Sequence, residues 1–350
     1  MTASFASDNV AATAPAIAAA LAEAAAASAM PYGADPWTER AAARLRDVFE
    51  CDLAVFPVVS GTAANALALA TLTPPWGAVA CHGQSHIMAD ECGAPEFFTG
   101  GARLVAIAGD HARLDPAALE AWIANARPHG EHNMRPAALS LTQATEAGTL
   151  YSAAAIAELT AIARAHGLGV HMDGARFANA VAALDSSPAD LTWRAGVDVL
   201  SLGATKDGAL AAEAVIFFDP ARAAEFAERR KRGGHLLSKA RFIGVQLDAW
   251  LTDGLWLANA AAANRAAARL AAGLAALPQV TLVHPVEANM IFAALPEAAV
   301  AGLEAAGFGF YRAGPAGADS GRTRIRLVAA WDTADGDVDA FIAAAARYAP

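Results

Sequence analysis

Two apolar segments in the middle of the chain end on residues able to do chemistry. Leu168-Gly169-Val170-His171-Met172 reads as a short buried strand that stops at Asp173 and runs into Gly174-Ala175-Arg176. About a helix's length later, Val197-Asp198-Val199-Leu200-Ser201-Leu202 reads as a second strand, followed by Gly203-Ala204-Thr205-Lys206. In an open parallel α/β sheet, ligands sit outside the carboxyl ends of the strands, where both Asp173 and Lys206 fall. Lys206 is one of three lysines, since arginine supplies 22 of the 25 positive charges. A lysine and a carboxylate one βαβ unit apart suit pyridoxal phosphate, which needs the amine for a Schiff base and the carboxylate to keep its pyridine nitrogen protonated. The plainer alternative is that Asp173 caps the next helix and Lys206 is a loop charge.

Other stretches offer weaker signals. Ser60-Gly61-Thr62 follows the buried run Ala54 to Val59 and opens a helix from Ala63 to Leu72. Such a turn points free backbone N–H groups and the positive end of the helix dipole at an anion such as phosphate, although Ser and Thr at a helix start are usually plain caps. His82 and His86 have the i, i+4 spacing of a helical metal pair, but no third ligand and no His-Glu-x-x-His motif accompany them, so no metal is expected. A histidine at a strand end could equally stack on an aromatic ligand.

The elements that must position these residues alternate strand with helix. Runs at 54–59, 79–81, 104–107, 137–142, 168–172, 197–202 and 213–218 are the strands, with helices at 63–72, 115–126, 152–166, 176–184 and 221–230. That alternation is the sequence form of an α/β, doubly wound sheet. The segment 241–277 reads as long helix broken at Asp253-Gly254, and short strands and helices of α+β type follow. The expected organisation is a large domain over 31–246 and a small C-terminal domain over 247–350, with 1–30 packing near the latter. Ser7-Asp8-Asn9 reads as the cap of a first, alanine-rich helix.

Composition narrows the class. Acidic residues outnumber basic ones by 35 to 25 and no basic tract occurs, which argues against nucleic acid as a partner. The run from Ala11 to Met30 is long enough to span a bilayer, but it carries Pro15 and Glu23 and is mostly alanine, so a soluble helix and no membrane are expected. The N-terminus has no basic region of a secretory signal. Cys51, Cys81 and Cys92 are too few and too unevenly spaced for a disulfide framework. A reduced, cytoplasmic compartment fits best.

Ser7-Asp8-Asn9, Tyr32-Gly33-x-Asp35, Ser60-Gly61-Thr62-Ala63-Ala64-Asn65, His86, Glu91-Cys92-Gly93-Ala94, His171-Met172-Asp173-Gly174-Ala175-Arg176 and Lys206 stand in an order that resembles the low-specificity L-threonine aldolases. The resemblance covers nearly the whole chain. It implies a pyridoxal-phosphate enzyme of fold type I, the aspartate-aminotransferase fold, with a seven-stranded, mostly parallel sheet and a smaller C-terminal domain. The reaction implied is retro-aldol cleavage of L-threonine, L-allo-threonine and related β-hydroxy-α-amino acids to glycine and an aldehyde. Phenylserine cleavage, β-elimination and racemisation are the neighbouring chemistries of the same cofactor.

The same resemblance implies roles. Lys206 would carry the cofactor, Asp173 would pair with its pyridine nitrogen, and His86 would stack on its ring. Ser60, Gly61 and Thr62 would bind the phosphate. Arg176, close to the cofactor, would hold the substrate carboxylate together with Arg326 and Ser7. Tyr32 would reach into a neighbouring subunit's site, as would Arg229 toward the phosphate, in a homo-oligomer that is a dimer or a dimer of dimers. At Thr142-Gln143-Ala144-Thr145-Glu146 many relatives carry a histidine near the substrate hydroxyl, and here Glu146 stands in that place. His86, Glu146 or a water held by them would take the hydroxyl proton.

Overall fold

The structure is a computed structural model and describes residues 3–316 and 321–348. A short β1 (Ala3–Ser4) precedes the seven strands of the main sheet: β2 (Ala54–Val58), β3 (Gly77–His82), β4 (Arg103–Ile107), β5 (Arg135–Thr142), β6 (Gly169–Gly174), β7 (Val199–Gly203) and β8 (Glu213–Phe217). They lie in the order β2-β8-β7-β6-β5-β3-β4. All neighbours are parallel except β8, which runs against both β2 and β7. The seven expected strands are thus the seven of one sheet. Helices cover both faces, which is why β7 and β8 are buried along their whole length and show no polar alternation.

The alanine-rich composition has a packing reason at the first helix after β2. Helix α1 (Pro15–Ala26) and α2 (Pro36–Phe49) lie outside the sheet, whereas α3 (Gly61–Leu72) is buried at every position from Ala63 to Ala70. Small side chains let α3 approach the sheet closely on all sides. The first helix is shorter than the run Ala11 to Met30, because Pro15 begins it at the first turn. The helix expected over 221–230 is divided into a turn at Pro220–Ala223 and a helix Phe226–Arg232.

After the main sheet, helices Arg241–Leu251 and Leu255–Ala275 are separated at Asp253 (φ 53°) and Gly254 (φ 72°), consecutive left-handed residues that break the helix where the sequence indicated. A second, antiparallel sheet has the order β12-β13-β10-β9, built from β9 (Thr281–Leu282), β10 (Met290–Pro296), β12 (Tyr311–Pro315) and β13 (Arg322–Val328). Its core holds Leu270, Ile291, Leu303, Ile325 and Phe341, and it includes Phe5 from the far end of the chain.

The N-terminal segment is fastened at several points. β1 pairs in parallel with β11 (Phe308–Gly309), Phe5 lies edge-on to Phe341 at 5.2 Å, and Val328 N donates to Phe5 O. Farther on, Ala14 N donates to Gly208 O at 2.8 Å, just beyond Lys206. Ser7 therefore does not cap α1. It caps the turn Asp8–Val10, accepting from Asn9 N at 3.1 Å, and that turn is held over the carboxyl ends of the main strands.

Candidate active site

Asp173 closes β6, and Lys206 sits on the turn Thr205–Asp207 that follows β7, so the two occupy neighbouring strand ends. The turn is anchored from below. Asp207 accepts from the buried Trp250 Nε1 at 2.8 Å through its carboxylate, and its carbonyl accepts from Asn259 Nδ2 at 2.9 Å. Lys206 itself makes no hydrogen bond or ion pair among the described residues. Burial, with the Arg176 guanidinium nearby, holds its amine below the ordinary lysine range, against the opposing pull of Asp8, Asp173 and Glu213.

Asp173 does not cap a helix. Its Oδ1 accepts from Ala175 N at 3.0 Å and its Oδ2 from Asn65 Nδ2 at 2.8 Å, while the following helix starts after Arg176. The same Asn65 nitrogen donates to Glu91 Oε1 at 2.8 Å, and Glu91 Oε1 is paired with His86 Nδ1 at 2.8 Å. A continuous polar chain thus runs from Asp173 through Asn65 and Glu91 to the imidazole. The hydrogen bond to Glu91 raises the His86 pKa above the usual histidine value. On the other side, His86 N donates to Glu146 Oε1 at 2.6 Å, which leaves Glu146 Oε2 buried with no partner. Burial, then the nearby Asp173 carboxylate, push Glu146 up to about 7.

The arginines divide unequally. Arg176 donates through Nε and Nη2 to Asp8 at 2.7 and 3.0 Å, a buried bidentate pair to which Asn289 Nδ2 adds a third contact at 3.1 Å. One edge of the Arg176 fork is therefore taken, and Nη1 remains free among the described residues. Arg326 donates Nη2 to Ala6 O at 3.0 Å, lies 5.0 Å from the Tyr311 ring centroid, and keeps its buried Nε without a partner. Both guanidinium groups line a cleft of about 770 Å³ together with Ser7, His86, Glu146 and Lys206. A small recess of about 50 Å³ shares that lining and reaches Gly61, Asn65 and Asp173.

These residues fit pyridoxal phosphate. The first N–H groups of α3, at Gly61 and Thr62, have no acceptor among the described residues, and a Cβ built on Gly61 meets nothing within 4 Å, so phosphate can come close to the backbone. Ser60 caps the same helix end through Ala63 N at 3.3 Å. Asn65 Oδ1 and Glu91 Oε2 are buried without partners beside the recess. The unpaired Lys206 amine and the Asp173 carboxylate complete the donor set.

Two residues expected at a site lie outside this cleft. Tyr32 is exposed, with the Lys231 ammonium 5.1 Å from its ring centroid. Arg229 pairs with Glu225 at 3.0 Å and lines a different recess, with Leu67 and Phe98. Conversely, Asn65 and Glu91 stood in the sequence only as letters of motifs, and Asp8 only as part of a helix cap. The available signal was Asn65, a polar residue inside an alanine helix, which must find partners once that helix is buried.

Comparison with known proteins places these features in context. A family model described as beta-eliminating lyase matches residues 4–298. A low specificity L-threonine aldolase of Pseudomonas aeruginosa is 44% identical over 330 residues, covering 94% of this chain and 93% of that protein. Another low specificity L-threonine aldolase, from a Pseudomonas species, is 41% identical over 335 residues, covering 95% of this chain and 94% of that protein. Among solved structures, the threonine aldolase of Leishmania major superposes with a TM-score of 0.93 at 28% identity, covering 99% of this chain and all of that one (100%).

The buried pair sets a stability prediction. Asp8→Ala strands the Arg176 charge and lowers the free energy of unfolding by about 3–5 kcal/mol, read from the urea midpoint. Burial alone would raise the Asp8 pKa, but Arg176 outweighs it and leaves the carboxyl below its ordinary range. The contribution is therefore present above the unfolded aspartate pKa and fades as pH falls through the lowered folded value. Asp8→Ala flattens that acid limb.

Proposed function

The chain belongs to the beta-eliminating lyase family and, within it, to the low-specificity L-threonine aldolases, and on that premise we propose that it cleaves L-threonine and L-allo-threonine to glycine and acetaldehyde. The observation that carries this reading is the unpaired Lys206 amine beside Asp173, in a cleft that also offers two incompletely paired arginines. Bound there, pyridoxal phosphate supplies the sink for the electron pair released at Cα. Asp173 would keep the ring nitrogen protonated, His86 would cover the ring, and Ser60, Gly61 and Thr62 would hold the phosphate.

The chain's own groups do the rest. The free Nη1 of Arg176, the unpartnered Nε of Arg326 and the Ser7 hydroxyl hold the substrate carboxylate, which fixes the rotation about Cα and selects the bond that breaks. Glu146 takes the β-hydroxyl proton at Oε2, the buried oxygen left without a partner when Oε1 accepts from His86 N. With its pKa at about 7, this carboxyl both accepts and returns a proton at neutral pH. Cleavage then yields the aldehyde and leaves glycine to be protonated and released.

We further read the chain as a cytoplasmic homo-oligomer, a dimer or a dimer of dimers, whose sites are shared. Tyr32 and Arg229 lie outside their own cleft, and Phe97, near Arg229, is 78% exposed. A shared site gives all three a use at a two-fold interface. The two larger sheets support a division into a large domain over 31–246 and a small domain over 247–350; of the segment 1–30, β1 and Phe5 pack on the small domain, whereas α1 packs on helix Arg241–Leu251 and the core beneath the main sheet. Among the described residues no helix is long and apolar enough to cross a membrane.

Three outcomes test these readings. L-Threonine releases acetaldehyde and glycine rather than the 2-oxobutanoate and ammonia of a β-elimination, and Lys206→Ala loses both the activity and the visible absorption of the loaded protein. If 2-oxobutanoate is the product, the aldolase reading falls. The rise of kcat/KM with pH has a limb near pH 7 that disappears in Glu146→Gln, whose turnover drops about 100-fold or more; an unchanged limb removes Glu146 as the base. Refolding Tyr32→Ala together with Lys206→Ala restores activity toward about a quarter of wild type, because half of the mixed dimers' sites carry neither defect. No restoration, with mixed dimers present, places Tyr32 in its own subunit's chemistry or in none.

A further inference from the structure

The antiparallel strand β8 brings its first residue, rather than its last, to the ligand edge of the sheet. That residue is Glu213, which is 7% exposed and lies in register with Gly203 on one side and Val58 on the other. Val58 leads into the Ser60-Gly61 turn and Gly203 leads into Lys206. An acid at the junction of these two exits is unexpected in an otherwise apolar strand, and no step proposed above uses it.

Its placement is tightly determined. A Cβ built on Gly203 would lie 2.8 Å from Glu213 Oε2, 2.9 Å from Ala175 Cα and 3.0 Å from Ala175 O, so the carboxyl fills the space beneath the ends of β6 and β7 that a larger residue at 203 would occupy. Thr205 is clipped to the same region, with Ala212 N donating to Thr205 Oγ1 at 3.1 Å and Ala204 N donating to Ala212 O at 3.1 Å. No basic group forms an ion pair with Glu213 among the described residues. The charged groups in electrostatic range are Lys206, which favours its anion, and Asp173, which opposes it, while the neighbouring Thr205 also favours the anion.

We propose that Glu213 is a positioning residue for Lys206, a carboxyl built into the sheet that sets the protonation of the Lys206 nitrogen from beneath. The inference rests on the reading of Lys206 as the residue that carries the cofactor. A buried carboxylate costs free energy unless something cationic compensates it, and the nitrogen of Lys206 is the cation within range. Burial pushes Glu213 up to about 7, so its charge appears as pH rises through neutrality. Lys206 faces Arg176, which disfavours its cation, and Asp8, Asp173 and Glu213, which favour it. Asp8 is committed to the Arg176 cation, and both Asp173 oxygens already accept hydrogen bonds, from Asn65 and Ala175 N, whereas Glu213 has no basic partner besides Lys206 within range.

The test is a pH titration of the visible absorption of the loaded protein, which reports whether the Lys206 nitrogen is protonated, in wild type and in Glu213→Gln. A nearby carboxylate favours the cation, so its removal lowers the midpoint, by about half a pH unit or more. Glu213→Asp keeps the charge and restores part of the shift, a result that lost packing alone does not give. Borohydride reduction followed by peptide mass analysis identifies the lysine bound to the cofactor. Attachment at Lys206 with an unchanged midpoint in Glu213→Gln overturns the proposal and leaves the reading of Lys206 intact. Attachment elsewhere overturns both. If Glu213→Gln does not fold, Thr205→Val serves in its place: losing the neighbouring hydroxyl that favours the anion raises the Glu213 pKa and moves the midpoint down, and no movement overturns the proposal.

Discussion

The pair between Asp8 and Arg176 ties together parts of the chain that are distant in sequence. Arg176 follows the central strand that ends in Asp173, and Asp8 belongs to a segment that is also attached to β11, to Val328 of β13 and, farther on, to Gly208. Two charges buried this way are retained only when their geometry is good, and here two short hydrogen bonds plus the Asn289 amide supply it. The pair also decides how Arg176 can serve a ligand. With one edge occupied, the guanidinium is locked in orientation, and its remaining donor has a fixed direction toward the cleft.

A second constraint runs along the polar chain from Asp173 to His86. Each member is buried or half-buried, and each orients the next, so the imidazole and the carboxylate are fixed relative to one another through Asn65 and Glu91. Asn65 Oδ1 and Glu91 Oε2 remain buried without partners, and Asn65 lines the recess. His171 stands apart from this function. It bridges Ser140 and Ser201 across three strands, and burial lowers its pKa to about 4, so it is a neutral spacer in the sheet.

The fold was largely legible in the sequence because the main strands are continuous apolar runs bounded by glycine and polar turns, a pattern that buried parallel strands produce with little ambiguity. Lys206 and Asp173 were legible for the same reason, since a strand end is a position as well as a sequence. What could not be read were partnerships across long distances. Asp8 looked like a helix cap because Ser, Asp and Asn before an alanine run are good caps, and only the docking of β1 beside β11 takes the segment away from that helix. Asn65 and Glu91 gave no local hint that the Asn65 amide donates to a carboxylate 26 residues away. Nor does any periodicity reveal which edge of the Arg176 fork is free.

The docking of the first residues onto the last has a consequence for the order in which the molecule is made. β1 needs Phe308 and Gly309, and Phe5 needs Val328 and Phe341, so none of its partners exists until most of the polypeptide has left the ribosome. Contacts of such sequence separation close late, since the chain must first lose the entropy of a very long loop. During synthesis the sheet carrying Lys206 can form while Asp8 is still a loose end, and Arg176 waits without its counter-ion. The strap that orients the cleft is thus translated long before its partners and among the last elements to dock, so assembly of the site waits on synthesis through Phe341.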